Sequence, residues 1–225
     1  GEVPLFGMVD GLFKYVNQWQ NETLLNRSDK IADEELEEML NMAPRVEKIA
    51  IKDAKLRTFI TQDADRQDMV SHVYDTTYGL IKRGQDSLVV IDDSIVRGTT
   101  LKQSILKILD RLGPVKIVIV SSAPQIRYPD CYGIDMSRMG EFVAFEAAIS
   151  LLKESGREHL IWETYEKCQA SLSLDKGEVP NYVKAIYEPF TDEEISAKIA
   201  RIISPPDIKA EVQVIYQTLE NLHVA

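Results

Sequence analysis

The sequence predicts an α/β fold built on a parallel sheet, and three observations carry that prediction. Residues 87–93 read SLVVIDD, a short continuous apolar run of the kind found in strands buried on both faces. A helical pattern follows, with Leu101, Ile105, Leu106, Ile108, Leu109 and Leu112 on one side. Residues 116–122, KIVIVSS, then repeat the buried-strand pattern. Strand, helix and strand in that order are the signature of parallel pairing, because parallel strands need a crossover long enough to hold a helix.

The remaining elements follow in chain order. Leu5, Met8, Leu12, Tyr15 and Val16 recur near helical spacing and predict an amphipathic N-terminal helix. ADEELEEMLNM (32–42) has the propensity of a short, acidic, exposed helix. Residues 46–60 alternate apolar and charged around Ile49 and Ile51. That pattern predicts an edge strand and then a second extended piece at 57–60. Within 61–85 the polar first half reads as a loop. The second half, with Met69, Val70, Val73, Tyr74 and Tyr78, reads as helix. Thr100 and Gln103 have the spacing of a capping box, and Gly113-Pro114 ends the helix that they open. A further helix is predicted inside 139–155. Another opens at the Thr191/Glu194 capping box and stops before Pro205-Pro206, and a last one is expected at about 207–222. Strand signals fade after 156. The expected organisation is therefore an α/β domain over 1–156 and a helical C-terminal extension over 157–225.

Composition narrows the function classes. A chain of 225 residues, 44% hydrophobic and 28% charged, is large enough to bury a sizeable core. Its formal net charge of −10 argues against a sequence-independent nucleic-acid binder, which needs a basic stripe. No apolar run approaches the roughly 18 residues of a membrane span, so a soluble, cytoplasmic protein is expected. Cys131 and Cys168 form no CxxC pair and the three histidines are scattered, which leaves a structural zinc site without a ligand set.

The chemistry concentrates in VVIDDSIVRGTT (89–100). In an open parallel sheet, ligands bind at the carboxyl ends of the strands. Asp92 and Asp93 stand at that end, where they can accept from sugar hydroxyls or hold a cation. The next residues open a helix, whose first N–H groups and positive end suit a phosphate. Gly98 lets backbone approach a ligand closely. Ser94, Thr99 and Thr100 add hydroxyls, and Arg97 adds charge. A phosphorylated sugar satisfies both halves. The plain alternative makes the aspartates turn formers and Thr100 an ordinary helix cap, but it leaves the combination unexplained. Neither GxxxxGK[ST] nor GxGxxG is present.

This stretch resembles the phosphoribosyl pyrophosphate (PRPP) motif of type I phosphoribosyltransferases, and its Ser-Ile-Val-Arg-Gly-Thr-Thr run resembles that of the amidophosphoribosyltransferases. LRTFI (56–60) and SSAPQIRYPDCYGIDM (121–136) agree with the same family, and the resemblance covers roughly 1–155. It implies transfer of glutamine-derived ammonia to C1 of PRPP, giving 5-phosphoribosylamine and pyrophosphate at the start of purine synthesis. Asp92 and Asp93 would bind the ribose hydroxyls, act catalytically and sit in the Mg²⁺ environment. Ser94, Arg97, Gly98, Thr99 and Thr100 would wrap the 5′-phosphate. Residues 57–85 would be a loop that closes over PRPP. Lys55, Arg57, Arg127 and Tyr132 are candidates for contacts from that loop or to inhibitory purine nucleotides. The full-length family enzyme is expected to be a homo-oligomer.

The sequence also departs from the family pattern. There is no N-terminal cysteine nucleophile and no stretch resembling a glutaminase domain. The first strand of the type I core, with its pyrophosphate loop, is expected just before EVPLFGMVDGL (2–12) and is missing. The chain is thus expected to be a C-terminal piece of a longer protein, with little turnover of PRPP alone. Asp130 holds the place at which some members carry an iron–sulfur cysteine, so a cluster is not expected. Two rival readings stand beside the enzyme. One is a non-catalytic PRPP-binding regulator, which would usually carry a DNA-binding module. The other is a salvage phosphoribosyltransferase acting on a base.

Overall fold

The computed structural model describes residues 2–26, 32–46, 50–52, 74–76, 81–131, 136–173 and 179–224. Two helices come first, α1 (Glu2–Asn26) and α2 (Asp33–Leu40). Buried Gln20 ties them together by donating to the carbonyls of Met39 (2.6 Å) and Met42 (3.1 Å), satisfying acceptors at the end of α2. Strands β1 (Ala50–Lys52) and β2 (Tyr74–Thr76) form an antiparallel pair. Tyr74 therefore lies in a strand, where the spacing of Met69, Val70, Val73 and Tyr74 predicts helix. Pairing with β1 overrides local periodicity there. The extended piece expected at 57–60 and most of the expected closing loop lie outside the described residues.

The centre of the molecule is a three-stranded parallel sheet in the order β3 (Ser87–Asp92), β4 (Lys116–Ser121), β5 (Glu211–Tyr216). Its register sets Leu88, Ile117 and Val212 on one rung, Val90, Ile119 and Val214 on the next, and Asp92, Ser121 and Tyr216 on the last. A π-helical turn at Leu101–Ile105 runs into α3 (Leu106–Arg111), which crosses from β3 to β4. Between β4 and β5 come α4 (Val143–Glu154), α5 (His159–Ala170), α6 (Lys184–Tyr187) and α7 (Asp192–Ile203). A final helix α8 (Leu219–Val224) follows β5.

Both crossovers run in the same direction along the sheet, so right-handed connections lay their helices on one face. Leu106 and Leu109 of α3, Val143, Ala147, Ala148 and Leu152 of α4, and Ile195, Ile199 and Ile203 of α7 share one core with the first two rungs. The opposite face is less covered: Val89 is 52% exposed and Ile215 44%. This corrects the expectation of strands buried on both faces. Apolar residues occupy both sides of β3 and β4; among the described residues one side packs into the core, while on the other Ile91, Val118 and Val120 are partly buried.

The expected helix at about 207–222 is also corrected. EVQVIY is strand β5, with Val212, Val214 and Tyr216 toward the core and Glu211, Gln213 and Ile215 away from it. Its entry is fixed by Asp110 at the end of α3, whose Oδ1 accepts from the N–H groups of Lys209 (3.0 Å) and Ala210 (2.8 Å). The hydrophobic core consequently runs across the expected division at 156/157, and residues 195–214 complete the packing begun by β3 and β4. The capping box at α7 forms as predicted, with the Glu194 N–H donating to Thr191 Oγ1 and the Thr191 N–H to Glu194 Oε2.

Candidate functional site

The carboxyl edge of the sheet brings together the end of β3, the end of β4 and the loop from 93 to 98. The Ser122 N–H donates to the Asp92 carbonyl (2.9 Å) and the Ser122 hydroxyl to the Asp93 carbonyl (3.1 Å). These bonds hold the two strand ends level. Asp92 Oδ1 accepts from the Asp93 N–H (2.9 Å), and Asp93 Oδ1 accepts from the Ser94 N–H (2.7 Å). Each carboxylate thus spends one oxygen on the turn, and the two carboxyls also contact each other through their side chains. Burial raises the Asp92 carboxyl above its ordinary range, the neighbouring Asp93 charge adds to this, and the Asp93 N–H opposes it. A cation or hydroxyl donors at this corner would favour the ionised form.

The loop is fixed from below. Ile95 is buried at 3% exposure, and the Val96 carbonyl accepts from the Val143 N–H (2.9 Å) at the start of α4. Gly98 has φ +68°, and a Cβ built on it would lie 2.7 Å from Ile203 Cγ2. Glycine is required here for both reasons: conformation and close approach to α7. The Lys102 N–H donates to the Gly98 carbonyl (3.0 Å), which places the first helical turn right after the glycine. Thr100 is already helical (φ −61°, ψ −41°) and makes no side-chain cap, so the expected Thr100/Gln103 capping box does not form. Thr99 and Thr100 are at the helix entry, beside the first-turn N–H groups that the helix itself cannot pair. Arg97 is half-buried and pairs with Glu141 at 2.5 Å.

The other candidates fall elsewhere. Arg127 stacks on the Tyr187 ring at 5.2 Å, donates to Gln125 Oε1 through Nε (3.1 Å) and Nη2 (2.7 Å), and pairs with Asp192. Tyr187 returns a bond from its hydroxyl to the Arg127 carbonyl at 2.8 Å. The guanidinium thereby staples the loop after β4 to α6 and α7. Lys55, Arg57 and Tyr132 lie outside the described residues. Sequence reasoning missed Ser122, Val143, Ile203 and Tyr216. The SS pair at the end of a predicted strand was a readable signal for Ser122, whereas Ile203 and Tyr216 belonged to a region read as a separate helical extension.

Two adjacent carboxylates fit Mg²⁺, which is commonly held by one or two carboxylates together with water and substrate oxygens. Among the described residues no group of three or more His, Cys, Asp or Glu forms a self-sufficient metal site. A cation here would need substrate to complete its shell. A groove of about 1210 Å³ runs along β5 and α7 and is lined by none of the residues from 92 to 100.

The described residues thus form an α/β protein whose parallel sheet carries, at its carboxyl edge, a carboxylate pair running into a glycine-based helix entry. No protein-family model matches the chain. Its sequence is similar to amidophosphoribosyltransferases. The one from Haemophilus influenzae is 33% identical over 146 residues, 64% of this chain and 28% of the relative. That of Escherichia coli is 37% identical over 102 residues, covering 45% and 20%. That of Saccharomyces cerevisiae is 30% identical over 135 residues, covering 56% and 26%. The chain thus spans under a third of the length of these relatives. Two solved structures align with it in part. One is the allosteric regulatory enzyme of purine biosynthesis (29% identity, TM-score 0.38, 57% of this chain and 28% of the other). The second is glutamine PRPP amidotransferase from B. subtilis (24% identity, TM-score 0.34, 73% and 30%). The fold class itself rests on this chain's own parallel sheet.

Proposed function

We propose that this chain is the PRPP-binding phosphoribosyltransferase part of an amidophosphoribosyltransferase. The whole enzyme would transfer ammonia, released from glutamine by a glutaminase domain outside this chain, to C1 of PRPP, giving 5-phosphoribosylamine and pyrophosphate in purine biosynthesis. The observation that carries the reading is the position of VVIDDSIVRGTT: its carboxylates end a strand at the carboxyl edge of a parallel sheet, and its glycine opens a helix there. Asp92 and Asp93 bind the ribose hydroxyls and keep the ring in line for attack. The N–H groups of the helix entry, with the Ser94, Thr99 and Thr100 hydroxyls, take the 5′-phosphate. Breaking the C1–O bond builds positive charge on the ribose, and the fixed carboxylates oppose that charge. Asp92 and Asp93, together with substrate oxygens, would hold Mg²⁺, which would supply neutralisation of negative charge on the leaving group. Purine nucleotides are proposed inhibitors, and the full-length enzyme is proposed to be a cytoplasmic homo-oligomer. Among the described residues no helix is long and apolar enough to cross a membrane.

Titration calorimetry of the chain with PRPP and Mg²⁺ tests the reading. Saturable, Mg²⁺-dependent binding of PRPP, competed by ribose 5-phosphate, is expected. Absence of binding at millimolar PRPP would overturn it.

A further inference from the structure

The last rung of the sheet breaks the pattern of the two before it. On the packed face, Leu88, Ile117 and Val212 are followed by Val90, Ile119 and Val214, all apolar; then come Asp92, Ser121 and Tyr216. Ser121 is 1% exposed and its hydroxyl donates to the Ala123 carbonyl at 2.8 Å, so its hydrogen is already engaged. Tyr216 Oη is different: it is shut off from solvent and has no hydrogen-bond partner among the described residues. A buried phenol without a partner costs stability, and buried polar atoms in folded proteins are nearly always paired. Phenylalanine would give the same ring packing without that cost.

The neighbourhood says what the hydroxyl is for. Asp92 and Tyr216 share this rung, on the strands either side of Ser121, and burial together with the Asp92 charge raises the Tyr216 phenol. The phenol O–H is a donor and the Asp92 carboxyl oxygens are acceptors on the same rung.

We propose that Tyr216 is a positioning residue for Asp92. When a ribose phosphate occupies the corner, the phenol O–H donates to the Asp92 carboxylate and fixes its orientation toward the sugar hydroxyls. This rests on the PRPP-binding reading above. The strand that closes the sheet thereby contributes to the site, through a residue that lies outside the motif.

The test is Tyr216→Phe, which keeps the ring and removes only the hydroxyl. Three measurements on the purified chain decide it. Thermal unfolding without ligand is expected to give an equal or higher Tm, since an unpaired hydroxyl is gone. Calorimetry with PRPP and Mg²⁺ is expected to show affinity about tenfold weaker, the loss of one hydrogen bond to a charged group. The ultraviolet difference spectrum on adding PRPP and Mg²⁺ is expected to show a tyrosine perturbation in the wild type that the variant lacks. Wild-type binding with unchanged affinity and an unchanged difference spectrum in Tyr216→Phe would overturn the positioning role and leave the PRPP reading intact. Failure of the wild type itself to bind PRPP would overturn both.

Discussion

Substituting Gly98 by alanine probes the link between the ligand loop and the C-terminal half of the chain. Two costs add. At φ +68° a Cβ-bearing residue sits in left-handed backbone, at about 1–2 kcal/mol. The new Cβ would also stand 2.7 Å from Ile203 Cγ2. Ile203 is 1% exposed and lies in the core, so it cannot swing into solvent. Forcing an extra carbon into such a contact costs about 1–3 kcal/mol. The sum, about 2–5 kcal/mol, corresponds to a drop of roughly 4–20 °C in Tm for a chain of this size. Denaturant and thermal unfolding of Gly98→Ala, Ile203→Ala and the double variant form the assay. Because Ile203→Ala removes the clashing methyl, the double variant is expected to be more stable than the sum of the singles by about 1–3 kcal/mol. Strict additivity, or a Gly98→Ala chain as stable as the wild type, would refute the packing of α7 under the loop.

Two other perturbations test separate joints. Asp110→Ala leaves the N–H groups of Lys209 and Ala210 without their carboxylate and is expected to cost about 1–3 kcal/mol by urea denaturation. An unchanged midpoint would mean that β5 finds its entry without Asp110. The hydrogen bond from Lys198 holds the Glu154 carboxyl below its ordinary range and joins α4 to α7. A lowered carboxylate stabilises the fold above its unfolded pKa, and that contribution is lost as pH falls through the folded one. Lys198→Met should therefore lower Tm at pH 7 and flatten part of the decline on acidification, read from Tm across pH 7 to 3. A parallel displacement of the whole curve would contradict this linkage.

Local pattern revealed what local forces decide. SLVVID and KIVIVS are strands because continuous β-branched runs suit a pleated, packed surface, and Thr191/Glu194 cap α7 because the spacing fixes that geometry. EVQVIY carried its own signal in the alternation of Val212, Val214 and Tyr216, but it is short and followed a run of helices. Its partner β4 lies far back in the chain, and only that pairing decides it. The failure at Thr100 has a different cause. A capping box and a helix entry at Gly98 compete for the same turn, and the left-handed glycine over Ile203 wins. The place of Asp92 and Asp93 at the carboxyl end of β3 was legible because the apolar run stops there. The place of Tyr216 was not, because only the pairing of β5 with β4 sets it on the same rung as Asp92.

The central claim is that the carboxylate pair binds the ribose of PRPP. Its most direct measurement is calorimetric titration of PRPP with Mg²⁺ into the wild-type chain and into Asp92→Asn/Asp93→Asn, with circular dichroism confirming that both are folded. The account predicts saturable binding by the wild type and a loss of at least about a hundredfold in the variant, as two charge-assisted contacts disappear. Equal affinity in the two chains would contradict it.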